Sequence, residues 1–344
     1  MTASEMLRAV AFFDGADLRE GTLTLQGDRL RLRDEPAPAD AHRLDGIVTG
    51  LFTDHHVHLQ LVDDRLLAGS RLGRVVDLGA NPEVIRSLSG HNSGEIANDR
   101  PGSGPNGPNR AGSPELRRPI IEYAGAFLTA PGGYPSDRPW APTGSVREIA
   151  DPERAATAVD EMVAAGASAI KVVAHSESGR VLDDESFRAV VEAAAAHGLP
   201  VVAHAEGAGQ AQRAVALGAV RLAHAPFTDR LDDDAIAAQA ATVAWISTLA
   251  VHDEQHRTIA IDNVRRFAAA GGTVLYGTDM GNGDTPVDLR DAEVEALREA
   301  GIDGLALLRA LAPLPAVAGD ARPLLLPSGD PLRARPLTTA DLEA

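Results

Sequence analysis

Two histidines one residue apart, His56 and His58, stand in the run Thr53-Asp54-His55-His56-Val57-His58. In extended chain, side chains return to the same side every second residue, so both imidazoles share a face and supply half of a metal site. Alone, such a pair is a weak signal. Other positions add to it. Lys171 interrupts the apolar run Ala169-Ile170-Lys171-Val172-Val173, where a buried ammonium is costly unless it is paired, modified or used. Val201-Val202-Ala203 runs into His204, Arg221-Leu222-Ala223 into His224, and Tyr276-Gly277-Thr278 into Asp279. Imidazole and carboxylate together are the donor set of a divalent cation. Each position also has a plainer account: core histidines bonded to carbonyls, a lysine beside a one-metal site, an aspartate capping a helix.

What must position these residues is a set of short strands alternating with helices. Apolar runs at 50–54, 74–78, 120–126, 169–173, 200–205, 220–225, 243–248 and 273–277 read as eight strands, with good helix formers between them. The segment 183–197 is one such helix, opening on acids and closing on Gly198, as the helix dipole and a C-terminal cap favour. Eight βα units over about 250 residues are the size of a TIM barrel, which keeps its active site at the strand carboxyl ends. An open doubly wound sheet is the rival, and no glycine-rich dinucleotide fingerprint follows the first strand. Residues 7–33 alternate as short strands, and Pro36 and Pro38 then break the pattern. Residues 89–114, rich in Gly, Pro, Asn and Ser, read as a flexible loop after the second strand, a disordered insertion or a lid over the mouth.

Composition narrows the function. Of 344 residues, 44% are hydrophobic and 24% charged, so the chain folds, and with 3% aromatics its core must be mostly alanine, valine and leucine. The net charge of -17 repels phosphate backbones and anionic lipid, which argues against nucleic acid and membrane as partners. Cysteine is absent, excluding disulfides, thiolate nucleophiles and Cys-based zinc sites. The opening MTASEMLRAVAFFDG lacks the basic-then-apolar order of a secretory signal, so the expectation is a cytoplasmic protein.

The motifs TGLFTDHHVHL, SAIKVVA, PVVAHAEG, RLAHAPF and LYGTDMG, in this order, resemble those of the amidohydrolase superfamily, in particular its binuclear branch with a carboxylated lysine. Imidazolonepropionase-like and prolidase-like members are the nearest in pattern. The resemblance extends to LRAVAFFDGADLREGTLTLQGDRL near the start and LPSGDPLR near the end. It implies an α/β fold, a TIM (β/α)8 barrel over residues 47–315, with a small accessory β-domain built from residues 1–46 and the tail 316–344. It implies two divalent metal ions, zinc first among them. His56, His58 and Asp279 would bind the more buried ion and His204 and His224 the more exposed one. Lys171, carboxylated by carbon dioxide, would bridge both.

The activity so implied is hydrolysis of a C–N bond in an amide, cyclic amide or peptide-like small molecule by a metal-bound hydroxide, with Asp279 shuttling the proton. Lactone or ester cleavage at the same metals is the alternative, and an inactive binding descendant a further one. Gln60 departs from dihydroorotase-like members, which carry a carboxylate-gripping arginine there. Tyr134, in Thr129-Ala130-Pro131-Gly132-Gly133-Tyr134-Pro135, replaces the histidine of a Gly-Gly-His stretch and is a candidate substrate contact, as is His175 just past the fourth strand. His252 and His256 have helical spacing but lack the HExxH pattern and read as a solvated face or a substrate loop. The partner expected is a small-molecule substrate, and many members of the superfamily form homo-oligomers.

Overall fold

A computed structural model of the chain describes residues 7–26, 29–90, 118–313 and 323–343. The flexible loop expected at 89–114 falls, from residue 91 onward, outside these residues, as do residues 316–322 of the expected tail. The chain opens with β1 (Leu7–Phe13), β2 (Leu18–Gln26), β3 (Arg29–Arg33) and β4 (Arg43–Thr49). Next come β5 (Phe52–Val57), β6 (Leu72–Asp77), β7 (Ile120–Tyr123), β8 (Phe127–Thr129) and β9 (Val146–Glu148). The remaining strands are β10 (Ile170–His175), β11 (Val201–Glu206), β12 (Arg221–Leu222), β13 (Ala244–Ile246), β14 (Thr273–Leu275), β15 (Leu324–Leu326) and β16 (Arg335–Pro336).

Three sheets result. β16-β15-β4-β1-β2-β3 form a mixed sheet in which β1 and β4 run parallel and the other neighbours antiparallel. β14-β13-β12-β11-β10-β8-β9 are seven parallel strands, and β5-β6-β7 are three more. Backbone hydrogen bonds join the two parallel sheets at either side. His55 N–H donates to Tyr276 O at 3.0 Å and His58 N–H to Met280 O at 2.7 Å, while Ser168 N–H donates to Tyr123 O at 2.8 Å. The α/β class expected from the sequence is the class found.

Helices alternate with the parallel strands: α1 (Pro82–Gly90), α2 (Pro152–Ala165), α3 (Asp184–Ala196), α4 (Gln210–Ala216), α5 (Asp233–Ala240), α6 (Glu254–Ala269), α7 (Asp291–Glu299) and α8 (Gly304–Leu311). The helix expected at 183–197 is α3. Asp183 accepts the Ser186 amide at 2.7 Å, and Gly198 follows the helix in the left-handed region at φ +68°. Asp151, Asp232 and Asp253 cap α2, α5 and α6 likewise, each worth about 1 kcal/mol. Among the described residues no helix is long and apolar enough to cross a membrane.

Some strands differ from expectation, since β8 and β9 fall outside the eight expected runs. The run 120–126 is strand only over β7, ending at Tyr123, and Gly125, at φ +77°, turns the chain before β8. A side chain could not follow it there, since a Cβ would lie 2.5 Å from Met162 Sδ. Between the parallel strands Val76, Leu78, Ala124, Ala169, Val202, Ala223 and Ile246 form one buried cluster, small and apolar as the composition required. A larger cluster packs helices on strands, with Trp245 and Phe267 stacked at 3.8 Å.

Candidate metal centre

The carboxyl ends of these strands carry the site. β5 is buried throughout, so His56 and His58 are held on rigid chain, at 1% and 6% exposure. Each imidazole has one nitrogen tied to backbone: His56 Nδ1 to Ala223 O at 2.8 Å and His58 Nδ1 to Gly79 O at 3.1 Å. That fixes the rings and leaves both Nε2 atoms facing inward. They meet Asp279, whose Oδ1 lies 3.2 Å from each. Asp279 Oδ2 accepts from Asn282 Nδ2 at 2.8 Å. Burial works against the Asp279 charge, but His56, His58 and His224 hold its carboxyl well below the usual range.

Backbone strain sits here too. Asp279 (φ +53°) and Thr248 (φ +43°) are two of the three non-glycine residues with positive φ among those described. Such conformations cost about 1–3 kcal/mol and persist where packing enforces them. Thr248 Oγ1 lies 2.8 Å from His224 Nδ1, orienting that ring. Gly277 is packed between β13 and β5, where a Cβ would sit 2.3 Å from Ile246 Cγ2 and 3.2 Å from His56 Cβ.

The six expected donors do not form a single knot. His56, His58 and Asp279 converge, with ligand atoms within 4.8 Å of one another. His204 turns instead to Glu206 Oε2 at 3.0 Å, and His175 approaches the same oxygen at 3.3 Å. These three form a second group within 4.8 Å. His224 stands between the groups, its ring centroid 4.8 Å from His56 and 4.9 Å from His204. Lys171 is 1% exposed; burial pulls its ammonium down to about 7 against the opposing charges of Asp279 and Asp77.

All of these histidines except His175 line, with Lys171, a small cavity of about 30 Å³ whose other wall is Phe127, Tyr134 and Trp140. Tyr134 lies 5.8 Å from His204 in a stacked arrangement and 4.9 Å from His175. Burial, with the charges of Asp279 and Glu206, raises its phenol to about 12. Both expected substrate contacts therefore stand beside the site, Tyr134 in its wall and His175 next to it. Gln60 does not face it: its Oε1 accepts the Asn81 amide at 2.5 Å. His252 stacks on Phe227 at 4.0 Å while His256 bonds Asp253 at 2.8 Å, so this pair does not act as one clamp. His55 stays out of the cluster, next to Arg74 and Arg221.

Several supports were not singled out from the sequence. Asp54 accepts from Thr278 N–H (3.1 Å), Thr278 Oγ1 (2.5 Å) and His56 N–H (3.0 Å), locking β5 to the turn that carries Asp279. Asp77 accepts the amides of Leu59 (2.7 Å) and Gly79 (2.9 Å) on either side of His58's own anchor. Glu206 had a visible signal, since it follows His204 by two residues and so shares its face of β11.

The sequence matches no protein-family model and no curated protein. Solved structures are similar over most of their length. A Xaa-Pro dipeptidase with bound methionine shares 18% identity at a TM-score of 0.66, covering 98% of this chain and 96% of that one. Ochratoxinase of A. niger shares 16% at 0.67, covering 95% and 90%. Phenylurea hydrolase B shares 16% at 0.62, covering 95% and 93%. The chain has the fold that these proteins share.

Proposed function

We propose that the chain is a metal-dependent hydrolase of the amidohydrolase superfamily, cleaving a C–N bond in an amide, cyclic amide or peptide-like small molecule. The convergence of Asp279 on His56 and His58, which line one cavity with Lys171, His204 and His224, carries this reading. The residues fit a metal. His56 Nε2 is buried without a hydrogen-bond partner, and the anchored Nδ1 atoms leave Nε2 as the donor. On this reading His56, His58 and Asp279 hold one divalent ion, zinc first among the candidates, and His204 and His224 a second, with Lys171 bridging as its carbamate. His204 would exchange Glu206 for that ion.

Two such ions would supply Lewis acidity and make water a nucleophile near neutral pH. The chain's own part is position and proton transfer. Asp279, anchored through Oδ2 by Asn282, takes the proton from the attacking water and returns it to the leaving nitrogen. Tyr134, Phe127 and Trp140 orient an apolar part of the substrate and exclude water from that side. His175 contacts the group nearest Glu206. The fold belongs to the same reading as a (β/α)8 barrel closed by the Tyr276–His55 and Tyr123–Ser168 bonds. Residues 1–46 and 316–344 then form its small β-domain, which the pairing of β15 with β4 supports.

The deciding experiment is metal content per chain together with native mass, on protein prepared without added metal or chelator. About two metals and one added carbon dioxide are expected. A chain that takes up no metal on titration overturns the reading. A panel of N-acyl amino acids, cyclic amides and lactones then separates amide from ester cleavage.

A further inference from the structure

Toward the amino-terminal ends of the same strands lies a second polar group, which the proposed reaction does not use. Arg74 on β6 donates to Glu122 on β7 at 3.2 Å. Arg221, which opens β12, is subject to the charges of both. His55 on β5 is 4% exposed, and its charged neighbours are the same two arginines. Thr53, fully buried, is the Cα partner of Arg74 across β5 and β6, and partnered residues of parallel strands share a face.

Three buried polar atoms here lack a hydrogen-bond partner among the described residues: Thr53 Oγ1, His55 Nε2 and Arg74 Nε. Buried polar groups are nearly always satisfied, so a local run of orphans implies water or an ion from outside the chain. Charge decides between them. Two guanidiniums, those of Arg74 and Arg221, share the one carboxylate of Glu122. One positive charge is left unmatched at a partly buried position, the Arg74 side chain being 21% exposed. The open groups are also donors: a guanidinium N–H, a hydroxyl, and an imidazole N–H in the Nε2-protonated tautomer.

We propose that this end of the strands binds a small monovalent inorganic anion of chloride size between Arg74 and Arg221, with Thr53 and His55 as further donors. The anion neutralises the unmatched guanidinium and satisfies the orphaned donors together. It ties β5, β6 and β12 together without using any of the proposed metal ligands, and so acts on stability rather than turnover.

The test is thermal unfolding of the full chain at constant ionic strength, with sodium chloride or bromide replacing sodium gluconate, beside bromide-soaked crystals measured at the bromine edge. A saturable rise in Tm with halide is expected. It should be absent in Arg221→Met, which removes the charge and keeps the aliphatic stem. An anomalous peak between Arg74 and Arg221 is expected in the crystals. Should Arg221→Met not fold, the peak in the unaltered protein decides. Density without anomalous signal at this position, refining as water, overturns the proposal whatever the unfolding curves show.

Discussion

Thr248 Oγ1 lies 2.8 Å from His224 Nδ1, so the hydroxyl of one strand end sets the ring of its neighbour. Partners of this kind fix tautomer and direction, and their loss typically costs about 10- to 100-fold in metal affinity. Thr248→Val keeps the β-branched shape at φ +43° and removes only the hydrogen bond. Metal affinity, read by competition with a chromogenic chelator, should fall by about that factor. Unchanged affinity would show that packing alone aims His224.

Asp279→Asn keeps the shape of the side chain and removes its charge and its basicity. Turnover should fall by about 10²- to 10⁴-fold, the usual share of a positioned acid–base group. Metal content should fall as well, because both Nε2 atoms 3.2 Å from Oδ1 lose their anionic neighbour. Measuring kcat on metal-saturated variant separates the two effects. Near-normal turnover there would remove Asp279 from the proton path.

Gly125→Ala should destabilise by about 1–3 kcal/mol, through a strained φ of +77° and a Cβ placed 2.5 Å from Met162 Sδ. Urea unfolding gives the value. A loss under a few tenths of a kcal/mol would mean that Met162 yields freely.

At the far end of the chain Asp341 is gripped by Arg335 through contacts of 3.0 and 2.5 Å, and it also accepts the Thr338 amide at 2.8 Å. The Arg335 hydrogen bond, chief among these, holds its carboxyl down to about 2. A depressed folded value stabilises above the unfolded value near 4, and the gain is lost as pH falls through about 2. With Arg335 half exposed, screening reduces the contribution to about 1–2 kcal/mol. The stability difference between the protein and Asp341→Asn should therefore be full at pH 5 and shrink toward pH 2. A difference that does not vary over this range would refute the linkage.

The positions of the clustered histidines and Asp279 were legible because each follows an apolar strand at nearly the same offset, a pattern that survives without any knowledge of neighbours. Its limits are equally physical. Periodicity carried the strand 120–126 through Gly125, since Ile, Tyr and Ala fit a strand well and the packing of Met162 from α2 against the glycine is not visible in the local pattern. Asp54 reads as one polar residue before a histidine pair. Its use becomes visible only when Thr278, 224 positions away, comes within 2.5 Å. Likewise His204 and Glu206 share a strand face, but that they share it with His175 depends on the parallel pairing of β10 and β11.

The pairing of Val48 in β4 with Leu325 in β15 bears on how the chain is made. β1, β2 and β3 pair through local hairpins and can assemble early. β4 gains one neighbour, β1, at once, but its other edge waits for residues 324–326, which emerge much later in synthesis. During that interval an edge with unpaired amides and carbonyls is open to the same edge of another nascent chain. Truncation before Leu324 should therefore show itself first as aggregation during expression, ahead of any loss at the distant cluster of histidines.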